Sequence, residues 1–307
     1  MLMTSGKNLS SPKVLERLSV LGQALDNQQQ LHAFDGGLLK LGKEAERKSN
    51  DDEFSSAGDR SPARSRSRQR APSGQGRSPS QAHHFGSEAH EEAFGTEFRV
   101  LARHYAALGF EDKDGLWVAV SSMPLGPAGP QANFLVGVFF DRRVAPRGWA
   151  FSRLGPRAAP MALKHTNLPD ASICAMTKED NAWSPSDGLV ALIDHYSIWA
   201  VKSWHRQELG WWPGPQYGFG SYYRKREFVA KEWCGCGSGK RYASCHQTFD
   251  FLESEEIGRR QFKGAFSCDY EDRAVPQAIM DAARSRWKNL PSLVSAFSHR
   301  RIVWGEL

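Results

Sequence analysis

The chain has 307 residues, of which 40% are hydrophobic, 24% charged and 11% aromatic, and its formal net charge is +6. This length predicts about two domains, and the apolar content suffices for a hydrophobic core, which excludes a collagen-like or wholly disordered protein. The longest apolar run, residues 134–140, is far shorter than the ~20 residues that a helix needs to cross a bilayer. The first residues also lack the apolar segment of a secretory signal. We therefore expect a cytoplasmic protein with no membrane partner.

Residues 1–88 are predicted to be mostly disordered, with one helix. Six arginines alternate with serine, proline and glycine between residues 60 and 77. Such a tract cannot bury apolar surface. A flexible linker is therefore favoured over a nucleic-acid site, because positive charge alone does not read a base sequence. Before the tract, apolar residues at helical spacing follow Ser11 and Pro12, which resemble a helix start. This helix is either a docking helix or a marginal segment ahead of the linker.

Residues 89–225 are predicted to form an α+β domain. Apolar residues between Phe94 and Leu108 have the spacing of one helix face, and Gly109 would end that helix. Strand-like runs follow at Leu116–Ser121, Asn133–Phe140 and Gly148–Arg153. A helical pattern returns from residue 187 to residue 204. A helix, an antiparallel meander and a second helix are typical of the α+β class.

The segment between Lys164 and Pro185 contains a lone cysteine, Cys174, with Asn167 seven residues upstream. A thiol nucleophile needs a partly open environment in which it can react as the thiolate. Acyl transfer also needs a hydrogen-bond donor at the developing oxyanion, for which an asparagine side chain is a standard neutral choice. From composition alone, a small buried apolar residue is the favoured interpretation of Cys174.

Three motifs in this segment resemble the ubiquitin-conjugating enzyme family. In that family a His-Pro-Asn triplet precedes a turn of the type Asn/Asp-Gly-x-Ile-Cys, and a Trp-Ser-Pro sequence then opens the next helix. The corresponding residues in this chain are, in order, His165-Thr166-Asn167, Asp170-Ala171-Ser172-Ile173-Cys174 and Trp183-Ser184-Pro185. The resemblance covers residues 90–212 and includes the predicted helix, the meander and the following helix.

The resemblance implies a role for each matched residue. Cys174 would be the nucleophile that forms a thioester, and Asn167 would support the loop and the oxyanion. His165 matches the histidine of the triplet, whose role in the family is usually structural, through its hydrogen bonds. Thr166 in place of proline and Ala171 in place of glycine depart from the family pattern and point to a divergent, bacterial-type branch.

Three of the five cysteines lie within twelve positions near residue 240, which favours metal binding in a reducing cytoplasm over a disulfide framework. The residues Cys234, Cys236, Cys245 and His246 are four ligands that suit a closed tetrahedral Zn²⁺ site. Their pattern, Cys-x-Cys-Gly-Ser-Gly-Lys-x-Tyr-x-x-Cys-His, resembles the SEC-C motif, a small zinc-binding module that we assign to residues 226–250. Four protein ligands leave no open position for water. We therefore expect a structural zinc ion and a module that binds a protein partner.

A conjugating-enzyme-like domain, a SEC-C module and a C-terminal helical tail at residues 251–307 together resemble the conjugating proteins of type II (short) CBASS antiphage operons. That resemblance implies a transferase that carries the C-terminus of a cGAS/DncV-like nucleotidyltransferase on Cys174 and passes it to an amine. A separate activating enzyme is a further expected partner, because the chain has no Gly-rich adenylation domain. Two alternatives remain open. One is an enzyme of a separate bacterial pathway for a ubiquitin-like protein, and the other is a non-catalytic zinc-containing adaptor.

Overall fold

A computed structural model of the protein describes residues 9, 11–27, 31–34, 38–41, 87–125, 129–141, 144–161, 163–175 and 183–297. Most of the region predicted to be disordered, including the arginine-rich tract, lies outside these residues. Within them the chain forms a five-stranded antiparallel sheet with helices against both faces, which confirms the α+β prediction. None of the described helices is long and apolar enough to cross a membrane.

The sheet is a meander whose strands are neighbours in chain order. Its strands are β3 (Ala107–Asp112), β4 (Gly115–Ser121), β5 (Asn133–Phe139), β6 (Arg147–Arg153) and β7 (Ala159–Pro160). Two further strands, β1 (Leu31–Phe34) and β2 (Leu38–Leu41), pair with each other. The helices are α1 (Pro12–Asp26), α2 (Ser87–His104), α3 (Gly188–Leu209), α4 (Gly220–Glu227), α5 (Gln247–Leu252), α6 (Glu255–Phe266), α7 (Gln277–Arg284) and α8 (Leu293–Ala296).

The first strand of the sheet lies where the sequence pattern predicts the end of a helix. The helix α2 ends at His104, and Leu108 and Gly109 belong to β3. All six residues of β3 pair with β4 across the short turn at Lys113 and Asp114, and these ladder hydrogen bonds compete with continuation of the helix. A side chain at Gly109 would lie 3.0 Å from the Phe98 ring, so α2 packs closely on this strand. The prediction of this helix is therefore correct up to His104 and wrong for Leu108 and Gly109, which belong to a strand.

The helix α3 covers one face of the sheet, and α1 packs on α3 in turn. Ser11 caps α1 as predicted, since its hydroxyl accepts a hydrogen bond from the Val14 amide at 3.4 Å. At Gly22 the two helices are so close that a Cβ atom would lie 2.1 Å from Nε2 of His205. At the end of α1, Asp26 forms a 2.5 Å ion pair with Arg241. The N-terminal helix α1 is thus a docking helix that packs on α3 of the same chain.

The C-terminal segment covers the opposite face of the sheet. Buried residues of α7, α8 and the residues that follow each helix pack against the large side chains of β4, β5 and β6. A Cβ atom at Gly137 of β5 would lie 2.7 Å from Leu293 and 2.8 Å from Phe297, so there is no space between the layers. The indole nitrogen of Trp117 donates to the carbonyl of Pro291 at 2.8 Å. The helices predicted as a tail therefore form a layer of the core.

The contribution of this layer is testable at Phe297, which is 1% exposed and contacts the rings of Phe139, Trp149 and Trp117. We expect Phe297→Ala to lower the free energy of unfolding by about 3–5 kcal/mol, since it leaves a cavity between the layers. The matched control is Phe249→Ala, because Phe249 is 70% exposed and its loss should change stability by about 0.5 kcal/mol or less. Urea denaturation measures both. Equal effects would show that the layer does not contribute to the core.

Candidate functional site

The segment that contains Cys174 is held at the edge of the sheet by a narrow turn. Thr166 and Ile173 form an antiparallel bridge, and the Asn167 amide donates to the Ser172 carbonyl at 2.7 Å. The Ile173 amide donates to the carbonyl of Gly148 in β6, also at 2.7 Å. The residue directly before Cys174 is therefore fixed to the sheet, and Cys174 is the first residue beyond the turn.

The turn has the backbone conformation for which glycine is the usual residue. Ala171 has φ +53°, in the left-handed region that costs a residue with a side chain more than it costs glycine. The neighbouring Asp170 stabilises the turn, since its Oδ1 accepts from the Ser172 amide at 3.0 Å and its Oδ2 lies 2.5 Å from Nη1 of Arg147. The side chains of Asp170 and Arg147 are both buried.

The Asn167 side chain points across the turn towards the residues before Cys174. Its Nδ2 atom donates to Oγ of Ser172 at 3.1 Å and to the carbonyl of Ile173 at 3.2 Å. Both amide protons of Asn167 are thus engaged with the loop that presents the thiol. These two bonds tie the Asn167 side chain to Ser172 and Ile173, the two residues that precede Cys174.

Cys174 as a residue is half-buried. Two buried tyrosines, Tyr196 and Tyr223, interact electrostatically with it. Burial raises the pKa of both phenols, and a negative charge on Cys174 raises each pKa further. Both phenols therefore remain protonated at neutral pH, so neither adds negative charge beside the thiol.

The His165 ring lies in the interior, between the turn and the region that follows α3. It contacts Trp212 in a tilted arrangement with ring centroids 4.0 Å apart, and its Nε2 atom is 3.4 Å from Nη1 of Arg206. Burial, together with the positive charges of Arg206 and Lys202, holds the pKa of His165 well below its usual value. The ring is therefore neutral at physiological pH. Its carbonyl accepts a hydrogen bond from the Trp199 indole at 2.8 Å, which supports a structural role for this residue.

The third motif lies at the start of α3, as its pattern predicts. The Trp183 indole donates to the carbonyl of Gly188 at 3.0 Å. Ser184 and Asp187 form a capping box, in which the Ser184 amide donates to Oδ2 of Asp187 at 2.6 Å. Residues 176–182, between Cys174 and this motif, lie outside the described part of the chain.

The four predicted metal ligands come together in space. The ligand atoms of Cys234, Cys236, Cys245 and His246 all lie within 4.8 Å of one another. Nδ1 of His246 is 3.2 Å from the sulfur atoms of Cys234 and Cys245, and the sulfur atoms of Cys236 and Cys245 are 3.5 Å apart. Around a tetrahedral zinc ion, ligand atoms at about 2.0–2.3 Å from the metal lie roughly 3.3–3.8 Å from one another. The cluster therefore fits a metal ion of the size and coordination of zinc.

The backbone around the cluster forms a tight knuckle. Trp233 and Arg241 form an antiparallel bridge, and the Cys234 amide donates to the carbonyl of Lys240 at 2.9 Å. Gly235 has φ +70°, and a Cβ atom there would lie 2.7 Å from the carbonyl oxygen of Gln216. Glycine at position 235 is therefore required both by the backbone conformation and by the packing of the preceding loop.

The first two cysteines of the cluster, Cys234 and Cys236, differ in the pKa of their thiols. Burial of Cys234 raises the pKa of its thiol to about 12, whereas the Ser238 hydroxyl lowers the pKa of the exposed Cys236 to about 6. The Ser238 oxygen lies 3.1 Å from the Cys236 sulfur and 3.2 Å from that of Cys245. A lowered pKa favours the thiolate, which is the form of cysteine that binds a metal ion.

The sequence analysis missed the buried charges that connect these two sites. Glu232 is fully buried two residues before the knuckle, and its carboxylate accepts hydrogen bonds from the amides of Trp212 (2.6 Å) and Val229 (3.2 Å). It also lies 3.4 Å from Arg206, which contacts His165. No local pattern marks Glu232, because its partners Trp212 and Arg206 lie 20 and 26 positions away in the sequence.

Comparison of the chain with protein-family models, with curated proteins and with solved structures found no match. The two candidate sites are therefore judged by their own geometry. One is a partly exposed thiol after a fixed turn, and the other is a cluster of three cysteines and a histidine that could hold a metal ion.

Proposed function

We propose that the protein is a ubiquitin-conjugating-like transferase that forms a thioester between Cys174 and the C-terminus of a partner protein. The observation that carries this proposal is the geometry before the thiol, where Asn167 donates to the carbonyl of Ile173 at 3.2 Å and Cys174 follows with partial exposure. The order of helix, meander, turn with cysteine, and helix opened by Trp183 further supports it. The preferred donor is the C-terminus of a cGAS/DncV-like nucleotidyltransferase, in antiphage defence.

The reaction has two acyl-transfer steps. The donor's terminal carbonyl arrives as a thioester on a separate activating enzyme, and the Cys174 thiolate attacks its carbon. A carbon–sulfur bond to Cys174 forms, the earlier one breaks, and the activating enzyme leaves as a thiolate. A target amine then attacks the same carbon, an amide forms, Cys174 leaves as the thiolate, and the amine nitrogen gives up a proton to solvent water. Each tetrahedral intermediate carries an oxyanion, and Asn167 would stabilise it by exchanging its hydrogen bond to Oγ of Ser172 for one to the oxyanion.

The Cys/His cluster has a structural and partner-binding role in this proposal. Zinc, when bound, would tie Cys234, Cys236, Cys245 and His246 into one knuckle and leave no ligand position for a substrate. Beside it, α5 exposes the apolar side chains of Phe249, Phe251 and Leu252 by 63–78%. Adjacent exposed apolar side chains of this size are typical of protein-binding surfaces.

The direct test is capture of the acyl adduct. The tagged full-length chain is expressed in the organism that encodes it, together with Cys268→Ser as a control that keeps Cys174, and both are purified under denaturing conditions without a thiol. We expect a protein adduct on the peptide that contains Cys174, which dithiothreitol or hydroxylamine releases. Mass spectrometry of the released protein identifies the donor. Absence of an adduct under all these conditions would overturn the transferase and favour the zinc-containing adaptor, whereas release of a ubiquitin-like protein would replace the nucleotidyltransferase as donor.

Replacement of Asn167 by alanine should slow transfer from Cys174 to an amine by about 10²–10³-fold, since it removes a donor to the oxyanion. Single-turnover discharge of the preformed thioester to a small amine measures this rate. The control is Ser172→Ala, which removes only the side-chain oxygen that Asn167 contacts at 3.1 Å. If both variants slow discharge equally, Asn167 acts only by holding the loop.

A further inference from the structure

Residues 163–170, which lead into the turn before Cys174, are bonded to the C-terminal half of the chain. Among their hydrogen bonds, Lys164 Nζ donates to the Arg226 carbonyl at 2.6 Å, Arg273 Nη1 donates to the Leu163 carbonyl at 2.7 Å, and the Ala274 amide donates to the Pro169 carbonyl at 2.9 Å. The other side of the turn is bonded to β6. Residues 163–175, which we call the catalytic segment, are thus held between the sheet and the region around the Cys/His cluster.

Glu227 is the buried carboxylate at this contact. Its side chain is fully shielded from solvent. Oε1 accepts from Nη1 of Arg273 at 2.6 Å and from the Tyr270 hydroxyl at 2.8 Å, and Oε2 accepts from the backbone amide of His165 at 3.3 Å. A buried carboxylate is tolerated only where donors compensate its lost hydration. Its position is therefore tightly determined by these three donors.

The bond from His165 matters because of where that residue lies. His165 has φ +56°, an uncommon conformation for a residue with a side chain, so the surrounding structure must hold its backbone. Asn167 follows two residues later, and its amide reaches the carbonyl of Ile173 at 3.2 Å. A shift of the backbone at residue 165 would displace the Asn167 amide from the residue that precedes Cys174.

We infer that Glu227 is a positioning residue of the conjugating site, whose carboxylate fixes the backbone at His165 and thereby the amide of Asn167. It acts through Asn167 and does not touch the reacting atoms. Its role in transfer rests on the proposed function, whereas its hold on residues 163–167 is measurable without any donor protein.

The test compares Glu227→Gln with Asp250→Asn in the full-length chain. Asp250 is a matched control, because it is also a buried carboxylate paired with an arginine, at 2.5 and 2.7 Å, and this arginine, Arg224, lies in α4 and not in residues 163–175. Hydrogen exchange followed by mass spectrometry reports on residues 163–175. We expect Glu227→Gln to accelerate exchange at residues 163–167 by about 10- to 100-fold, the effect of losing a hydrogen bond to a charged group. Asp250→Asn should leave exchange there unchanged.

Two further measurements complete the test. Tyr270→Phe removes one donor from Glu227 and keeps the bond to the His165 amide, so it should accelerate the same exchange less than Glu227→Gln does. It covers the case in which Glu227→Gln does not fold. In the discharge assay, Glu227→Gln should slow amine transfer, by less than Asn167→Ala does, with unchanged zinc content. Unchanged exchange at 163–167 in both variants, or an equal increase in Asp250→Asn, would overturn the inference. A wild-type chain without any adduct, but with the expected exchange pattern, would overturn only the transferase.

Discussion

Replacing Cys174 with alanine is expected to abolish both the acyl adduct and all transfer to an amine, because the carbon–sulfur bond of the intermediate cannot form without this sulfur atom. Replacing it with serine should trap the donor as an oxygen ester that resists dithiothreitol and is cleaved by hydroxide. Gel analysis of the reconstituted reaction, with the donor and its activating enzyme, measures both effects.

The fold should survive these substitutions. Cys174 is partly exposed, so we expect Cys174→Ala to change the free energy of unfolding by about 0.5 kcal/mol or less. Cys268→Ser serves as the matched control, since Cys268 is also a partly exposed thiol outside both candidate sites. Retained transfer by Cys174→Ala, or an equal loss in Cys268→Ser, would assign the reaction to another residue.

Loss of the metal is the second change for which we expect a large effect. The purified chain should contain about one zinc ion, and Cys234→Ser should lose it, because Cys234 is the most buried of the four ligands. Structural zinc sites in small modules contribute about 10–16 kcal/mol of apparent binding free energy at neutral pH. Without that contribution we expect residues 232–246 to unfold locally.

Metal analysis and hydrogen exchange measure the two parts of this prediction. Exchange should approach the unfolded rate at residues 232–246 and stay slow in β4 and β5, whose ladder is independent of the cluster. Acidification should release the ion from the wild-type chain as well, since metal-bound thiolates and imidazole must become protonated. Zinc retained by Cys234→Ser, or slow exchange in the metal-free knuckle, would show that the cluster does not organise this region.

The features that the sequence predicted correctly depend on residues that are close together in the chain, and the Cys/His cluster is one example. The four ligands lie within thirteen consecutive residues, so their spacing and the glycines between them already predict a common site. The turn from His165 to Cys174 is equally local. Three strands of the meander were predicted for a similar reason, because alternation and flanking turn residues depend on neighbours in the chain.

Local patterns predict less well where two states compete for the same residues. The apolar spacing from Phe94 to Leu108 continues a helical period past the true end of α2. The strand β3 replaces its last turn, because pairing with β4 satisfies the backbone better at the sheet edge. Periodicity describes the side chains of one segment and contains no information about an available partner strand.

The sequence by itself thus determined the α+β class, the ligand cluster and the turn that presents Cys174. The tertiary structure decided the partners of each surface: α1 docks on α3, α7 and α8 cover the second face, and Glu227 meets His165 in the interior. The Asp26–Arg241 and Trp117–Pro291 contacts join residues 215 and 174 positions apart. The sequence shows that an apolar side chain needs burial and that a buried charge needs an opposite charge. Which residues provide them is decided only when the whole chain folds.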